Sequence, residues 1–204
     1  MKIAIIDYDI GNVFSVANAI KKLGHNPLIT RDHGEILAAD RLILPGVGNF
    51  SRAIKSLKEK NLIETIKKYT SSGKPFLGIC IGMHLMMDYS EESGSHQGLG
   101  LVKGSVKKIT DHYSFSKEIK IPHISWSSIS CLERKKFYKF NKDFFYFVHS
   151  YCVIPDNKSS IIGTCNFHNV ELAAIISQEN LTGVQFHPER SGERGLKFLK
   201  EFID

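Results

Sequence analysis

Cys80 stands in GICIG, with Gly78 and Gly82 two residues to either side, where an apolar run gives way to a helical pattern. That G-x-C-x-G spacing is the cysteine form of a nucleophile elbow, in which small flanking residues let a strand turn sharply into a helix and leave the sulfur exposed. The first N–H groups of such a helix favour a thiolate, the form that attacks a carbonyl carbon. The same five residues suit a buried structural cysteine beside an ordinary turn equally well. A second loop, LILPGVGNF at 42–50, offers Gly46 and Gly48. Backbone amides there, with the N–H of Ile81, would stabilise the oxyanion of an acyl-transfer intermediate. The loop lacks the G-K-[ST] ending of a phosphate cradle, and alone it also reads as a plain tight turn. Near the far end, TGVQFHPERS carries His187 and Glu189 around Pro188. An imidazole there can serve the sulfur while a carboxylate two residues on orients it, although an isolated HPE is also compatible with a surface turn.

These residues need elements that bring them together, and the apolar periodicity supplies candidates. KIAII at 2–6 reads as a strand and VFSVANAIKKLG at 13–24 as a helix, through Val13, Val16, Ala17, Ile20 and Leu23. Strands are expected at 27–30 and 41–44, a helical stretch at 50–69, a strand in KPFLGIC at 74–80 and a helix in IGMHLMMDYS at 81–90. Alternating strands and helices predict an α/β fold of three layers around a central mixed, largely parallel sheet. After Gly100 the segments VKGSVKKI, EIKIPHI at 118–124, FFYFVHSY at 144–151, SIIGTC, LAAII and LTGVQF read as strands that extend the sheet antiparallel, and 191–203 as a closing helix. The polar stretch SEESGSHQG at 90–98 suits an active-site rim or a mobile loop. With 204 residues and no repeat or low-complexity tract, the chain is expected to be one domain spanning 1–204.

Composition narrows the function classes. The charge of +6, from 27 Lys plus Arg against 21 Asp plus Glu, is spread over scattered pairs without a basic stripe. No nucleic-acid partner is therefore expected. The opening apolar run, Ile3 to Ile6, is too short for a signal peptide, and no apolar run reaches membrane-spanning length, so a cytoplasmic protein without membrane contact is the expectation. In that compartment Cys80, Cys131, Cys152 and Cys165 would be thiols. Cys165 and His168 form C-x2-H without a second ligand pair, so no metal and no cofactor is expected.

Taken together, GICIGMH and TGVQFHPERS resemble the two signatures of class I glutamine amidotransferases, which use a Cys-His-Glu triad. The resemblance is more specific to the glutaminase subunits of imidazole glycerol phosphate synthase. It runs through IAIIDYDIGNVFSVANAI, LILPGVGNF, GICIGMH, EESGSHQGLGLVKG, IPHISW, YFVHSY and TGVQFHPERSGERGLKFL, nearly the whole chain. It implies that Cys80 attacks the carboxamide of L-glutamine, that His187 handles protons and that Glu189 orients the ring. It implies an oxyanion-forming strand at Pro45–Gly48 with a further donor at the Ile81 amide, and glutamine contacts around Gly48, His84, Glu92, His149, Ser150 and Tyr151. Residue by residue, Glu92 reads as a solvated carboxylate and His149–Tyr151 as a strand-edge hydrogen-bond set; the resemblance reverses both. The implied partner is a cyclase/synthase subunit with a (β/α)8 barrel, in a heterodimer that receives ammonia for histidine biosynthesis. Pro122, His123 and Trp126 lie in the segment implied to face it, while Trp126 also suits an ordinary core position.

Three positions depart from the family pattern. His84 stands where glutamine is usual, the H-x-G-W-N surface becomes His123-Ile124-Ser125-Trp126-Ser127, and Asn49 replaces a small residue after PGVG. These changes leave two other expectations open: a relative that supplies ammonia for bacterial surface-sugar amidation, and a non-catalytic interaction subunit that has kept the fold.

Overall fold

A computed structural model describes residues 1–115 and 119–204. The first half alternates as the periodicity predicts: β1 (Ile3–Ile6), α1 (Val13–Lys22), β2 (Leu28–Thr30), α2 (His33–Ala38), β3 (Arg41–Gly46), α3 (Phe50–Glu59), α4 (Leu62–Ser71), β4 (Phe76–Cys80) and α5 (Ile81–Leu85). Then come β5 (Met87–Ser90), β6 (His96–Gln97), β7 (Val102–Lys108), α6 (Ile109–His112), β8 (His123–Cys131), β9 (Phe144–His149), β10 (Tyr151–Pro155), β11 (Ile161–Phe167), β12 (Val170–Gln178), β13 (Leu181–Val184) and α7 (Gly192–Ile203).

Among the described residues, nine strands form one sheet in the order β2-β1-β3-β4-β13-β12-β11-β8-β9. The pairings from β2 through β13 are parallel and those from β13 to β9 antiparallel, a mixed sheet in which both expected strand types meet at β13. The parallel strands are buried on both faces, which is why IAII and FLGIC read as unbroken apolar runs. A second sheet, β10-β7-β5-β6, lies beside it.

Five elements differ from the sequence reading. The 50–69 stretch is two helices, because Asn61 takes a left-handed conformation (φ 56°) between them. The expected helix at 81–90 ends at Leu85: Met87–Ser90 pairs instead with β7 and β6, and the carbonyl of Met86 accepts from the N–H of Leu101 and Val102. Sheet pairing outweighs helix propensity there. FFYFVHSY is broken at Ser150, so that β9 joins the large sheet and β10 the small one. The strand expected at 118–124 begins at His123; Glu118 lies outside the described residues. Six residues at His33–Ala38 form a helix that the periodicity did not reveal, capped by Asp32, whose side chain accepts from the Glu35 N–H. No helix among the described residues is long and apolar enough to cross a membrane.

Candidate active site

The C-terminal ends of β3, β4 and β13 lie side by side, the position where open α/β sheets hold ligands. At the end of β4 the chain turns from Phe76–Cys80 into α5, and Cys80 takes φ 53° and ψ −110°, a strained conformation for a residue with a side chain. Both flanking glycines are required by contact. A Cβ on Gly82 would lie 1.8 Å from the Leu44 carbonyl oxygen, and one on Gly78 would lie 2.7 Å from the Gly82 backbone. The helix therefore rests directly on β3 and β4, and the sulfur is left at the sheet's edge, 5% of the Cys80 surface remaining open.

A cleft of about 510 Å³ opens over this turn and is lined by Gly48, Cys80, Ile81, His84, Glu92, Pro122, His149, Ser150, Tyr151 and His187, a volume suited to a small molecule. Segments distant in sequence supply its walls. The large sheet passes chain to the small sheet at Ser150, whose carbonyl accepts from Ile109, so His149–Tyr151 sit at the seam between the sheets. Gly46, by contrast, lies outside the lining: it pairs with Cys80 in the sheet, and a Cβ there would meet Ile81 at 2.7 Å. Its smallness serves packing, while Gly48, at φ 90°, faces open space. The Tyr8 hydroxyl donates to the Pro45 carbonyl at 2.7 Å and anchors the start of the PGVG loop.

His187 follows β13 and is tied to β9, its N–H donating to Tyr146 and its carbonyl accepting from the Ser191 hydroxyl. Its Nδ1 lies 2.8 Å from Oε1 of Glu189, both side chains being almost wholly buried. Nε2 points away from Glu189 and has no hydrogen-bond partner among the described residues. Burial opposes charge on this ring, but the Cys80 sulfur and the Glu189 carboxylate outweigh it and hold the proton well above the usual histidine range. Glu189 sits behind the ring rather than in the cleft. Glu92, expected in solvent from sequence alone, is buried against the cleft, and its Oε2 accepts from the Phe50 N–H at the start of α3. Burial is the main cause of its raised pKa.

The three family departures have defined places. Asn49 caps α3 through its side-chain oxygen, which accepts from the Ser51 and Arg52 N–H groups. His84 is buried and meets Gln185. His123, expected on the exposed face with Pro122 and Trp126, is instead buried at 2% exposure and stacked on Phe147. Trp126 is 53% exposed, so the core alternative for it is excluded. A hydrogen-bond chain runs inward from this face: Ser125 and Ser127 lie 2.8 and 3.1 Å from His123 Nε2, and His123 Nδ1 lies 3.1 Å from His149 Nε2. His149 Nδ1 lies 2.9 Å from the Tyr151 carbonyl, which can only accept. The direction is thereby set, each imidazole donating from Nδ1 and accepting at Nε2.

Sequence reasoning missed Asn12, Val47, Val148 and Arg190, which also line the cleft, and Gln185, which touches the sulfur. Gln185 carried a signal: it is the lone long polar side chain in the apolar run before His187.

A family model described as glutamine amidotransferase class-I matches residues 4–204. The chain is 42% identical over 201 residues to the imidazole glycerol phosphate synthase subunit HisH of Sulfurimonas denitrificans, covering 98% of this chain and 96% of that one. It is 43% identical over 206 residues to the subunit of the same name from Lactococcus lactis, covering 100% and 98%. Among solved structures, a glutamine amidotransferase shares the fold at a TM-score of 0.74 and 16% identity, over 98% of this chain and 99% of that one. The structure of PurLQS from Thermotoga maritima does so at a TM-score of 0.74 and 19% identity, over 99% and 97%.

Proposed function

The chain belongs to the class I glutamine amidotransferase family, and from that premise we propose that it is the glutaminase subunit of an imidazole glycerol phosphate synthase. It hydrolyses glutamine to glutamate and ammonia and passes the ammonia to a (β/α)8-barrel synthase subunit. The observation that carries the reading is that Cys80, on a strained strand-to-helix turn, and His187, braced by Glu189, line one cleft although they come from opposite halves of the chain.

The chemistry follows from those positions. The Cys80 thiolate attacks the carboxamide carbon, and the developing oxyanion is met by the Ile81 N–H and by amides of the loop ending at Gly48. His187, held protonated in the resting site by the Cys80 sulfur and the Glu189 carboxylate, gives its proton to the carboxamide nitrogen, which leaves as ammonia. It then takes one from the water that hydrolyses the thioester, while Glu189 holds the ring. Glu92 receives the substrate's α-ammonium, which supplies the positive charge its burial lacks. Donors around Ser150 and Tyr151 take the α-carboxylate. Pro122 and Trp126 face the barrel subunit, and His123 contributes from behind them through Ser125 and Ser127.

The test is glutamate release by the complex copurified with its barrel partner, with and without the acceptor phosphoribulosyl formimino-AICAR phosphate. Release stimulated by the acceptor is expected, together with formation of imidazole glycerol phosphate and AICAR. Cys80→Ser should lower release at least about a thousandfold without dissociating the complex. Retained turnover in that variant would remove Cys80 from the chemistry, and stimulation by a surface-sugar acceptor instead would reassign the pathway.

A further inference from the structure

Val184 of β13 pairs with Ile79 of β4, so the next residue, Gln185, comes abreast of Cys80. Its side chain is fully buried and has a neighbour at each end of the amide. Oε1 lies 2.8 Å from Nε2 of His84, and Nε2 lies 3.8 Å from the Cys80 sulfur. An amide oxygen only accepts, so in a neutral ring the His84 proton sits on Nε2 and the ring donates. His84 is 1% exposed, and burial outweighs the hydrogen bond with Gln185 to lower its pKa to about 4, which keeps the ring neutral at ordinary pH. With its oxygen held by His84, the amide can turn only its NH2 toward the sulfur.

Resting on the reading of Cys80 as the nucleophile, we infer that His84 and Gln185 form a hydrogen-bonded arm that holds an amide N–H against the Cys80 sulfur. Gln185 stabilises the sulfur anion, and His84 is a positioning residue that sets the direction of the amide. An N–H donor to an anion is about twice as strong as one to a neutral acceptor, so this contact favours thiolate over thiol. It is also available before substrate enters. Other groups also surround the sulfur: the His187 ring bears on it while its Nδ1 pairs with Glu189, and the Tyr8 hydroxyl is spent on the Pro45 carbonyl. Glu92 and Arg190 are the remaining charged side chains lining the cleft among the described residues. The departure at position 84 thus acquires a role in this chain, since the imidazole Nε2–H is the donor that steers Gln185.

The experiment is alkylation of the full chain by iodoacetamide between about pH 5 and 10, with modification quantified on the Cys80 peptide by mass spectrometry and folding checked by thermal unfolding. Gln185→Leu should move the midpoint of the rate-versus-pH curve upward by about one pH unit, close to a tenfold slower reaction at neutral pH. His84→Leu should move it in the same direction by less, and His84→Gln, which keeps a side-chain N–H donor, should restore the wild-type midpoint. A folded Gln185→Leu chain with the wild-type midpoint overturns the inference. Should that variant not fold, an unchanged midpoint in His84→Leu overturns it equally. Loss of the underlying function reading would look different: Cys80→Ser would retain glutamine hydrolysis in the complex, whatever the alkylation profile.

Discussion

His84 and His149 line the cleft and His123 lies behind His149, and burial holds each of these three rings neutral. His84 is lowered to about 4, His149 to about 3 and His123 to about 4, desolvation being the largest cause in every case. An unfolded chain accepts these protons near pH 6.5, before the folded one does. The stability they contribute is therefore complete above about pH 6.5 and is lost as the pH falls toward 4. For His84, fully buried, the loss should reach about 2 kcal/mol by pH 5. Urea unfolding at pH 7.5 and 5 should show the midpoint falling, and His84→Gln should flatten that fall by about this amount. An equal fall in both proteins would assign the acid sensitivity to other groups. The same neutrality is what lets His123 and His149 pass a directed hydrogen-bond chain from Ser125 and Ser127 to the cleft wall.

The strand-to-helix turn is held by backbone contacts, which leaves little room to adjust it. With 1.8 Å between a Cβ on Gly82 and the Leu44 oxygen, Gly82→Ala must lift α5 from β3. That should cost about 3 kcal/mol in denaturant unfolding, the upper end of ordinary overpacking. Gly24→Ala is the comparison: its Cβ would meet nothing within 4 Å, and only its φ of 86° opposes the change, so about 1 kcal/mol is expected. Similar losses in the two variants would show that the turn accommodates a side chain after all. The shortness of α5, five residues, also limits what its dipole gives Cys80.

At the scale of the molecule, one face stands out as unfinished. Ile124, Trp126 and Phe144, on the paired strands β8 and β9, are 58%, 53% and 57% exposed. Large aromatic and aliphatic groups clustered in this way suit an interface more than open solvent. Trp126→Ala should weaken association with the proposed barrel subunit about thirtyfold, as a central aromatic anchor would, while leaving the melting temperature of the isolated chain unchanged. Binding measured by titration calorimetry decides this, and unaltered affinity would place the partner elsewhere. Because Ser125 and Ser127 alternate with Ile124 and Trp126 along β8, the same strand presents one side to this face and the other to His123.

The elements that carry strong local signals were legible in the residues alone: the buried runs of β1 and β4, the amphipathic faces of α1 and α7, and the G-x-C-x-G turn, whose glycines proved necessary by contact. So was the pairing of His187 with Glu189, since two residues around a proline have few ways to diverge. Tertiary structure alone decided the rest, because periodicity records which side of an element is apolar and not which neighbour it meets. It cut the 81–90 helix short to complete a sheet, split FFYFVHSY between two sheets, and buried His123 under a face expected to expose it. It also joined His84 to Gln185 across 101 positions, a contact made only when α5 and β13 fold against the same strand, β4.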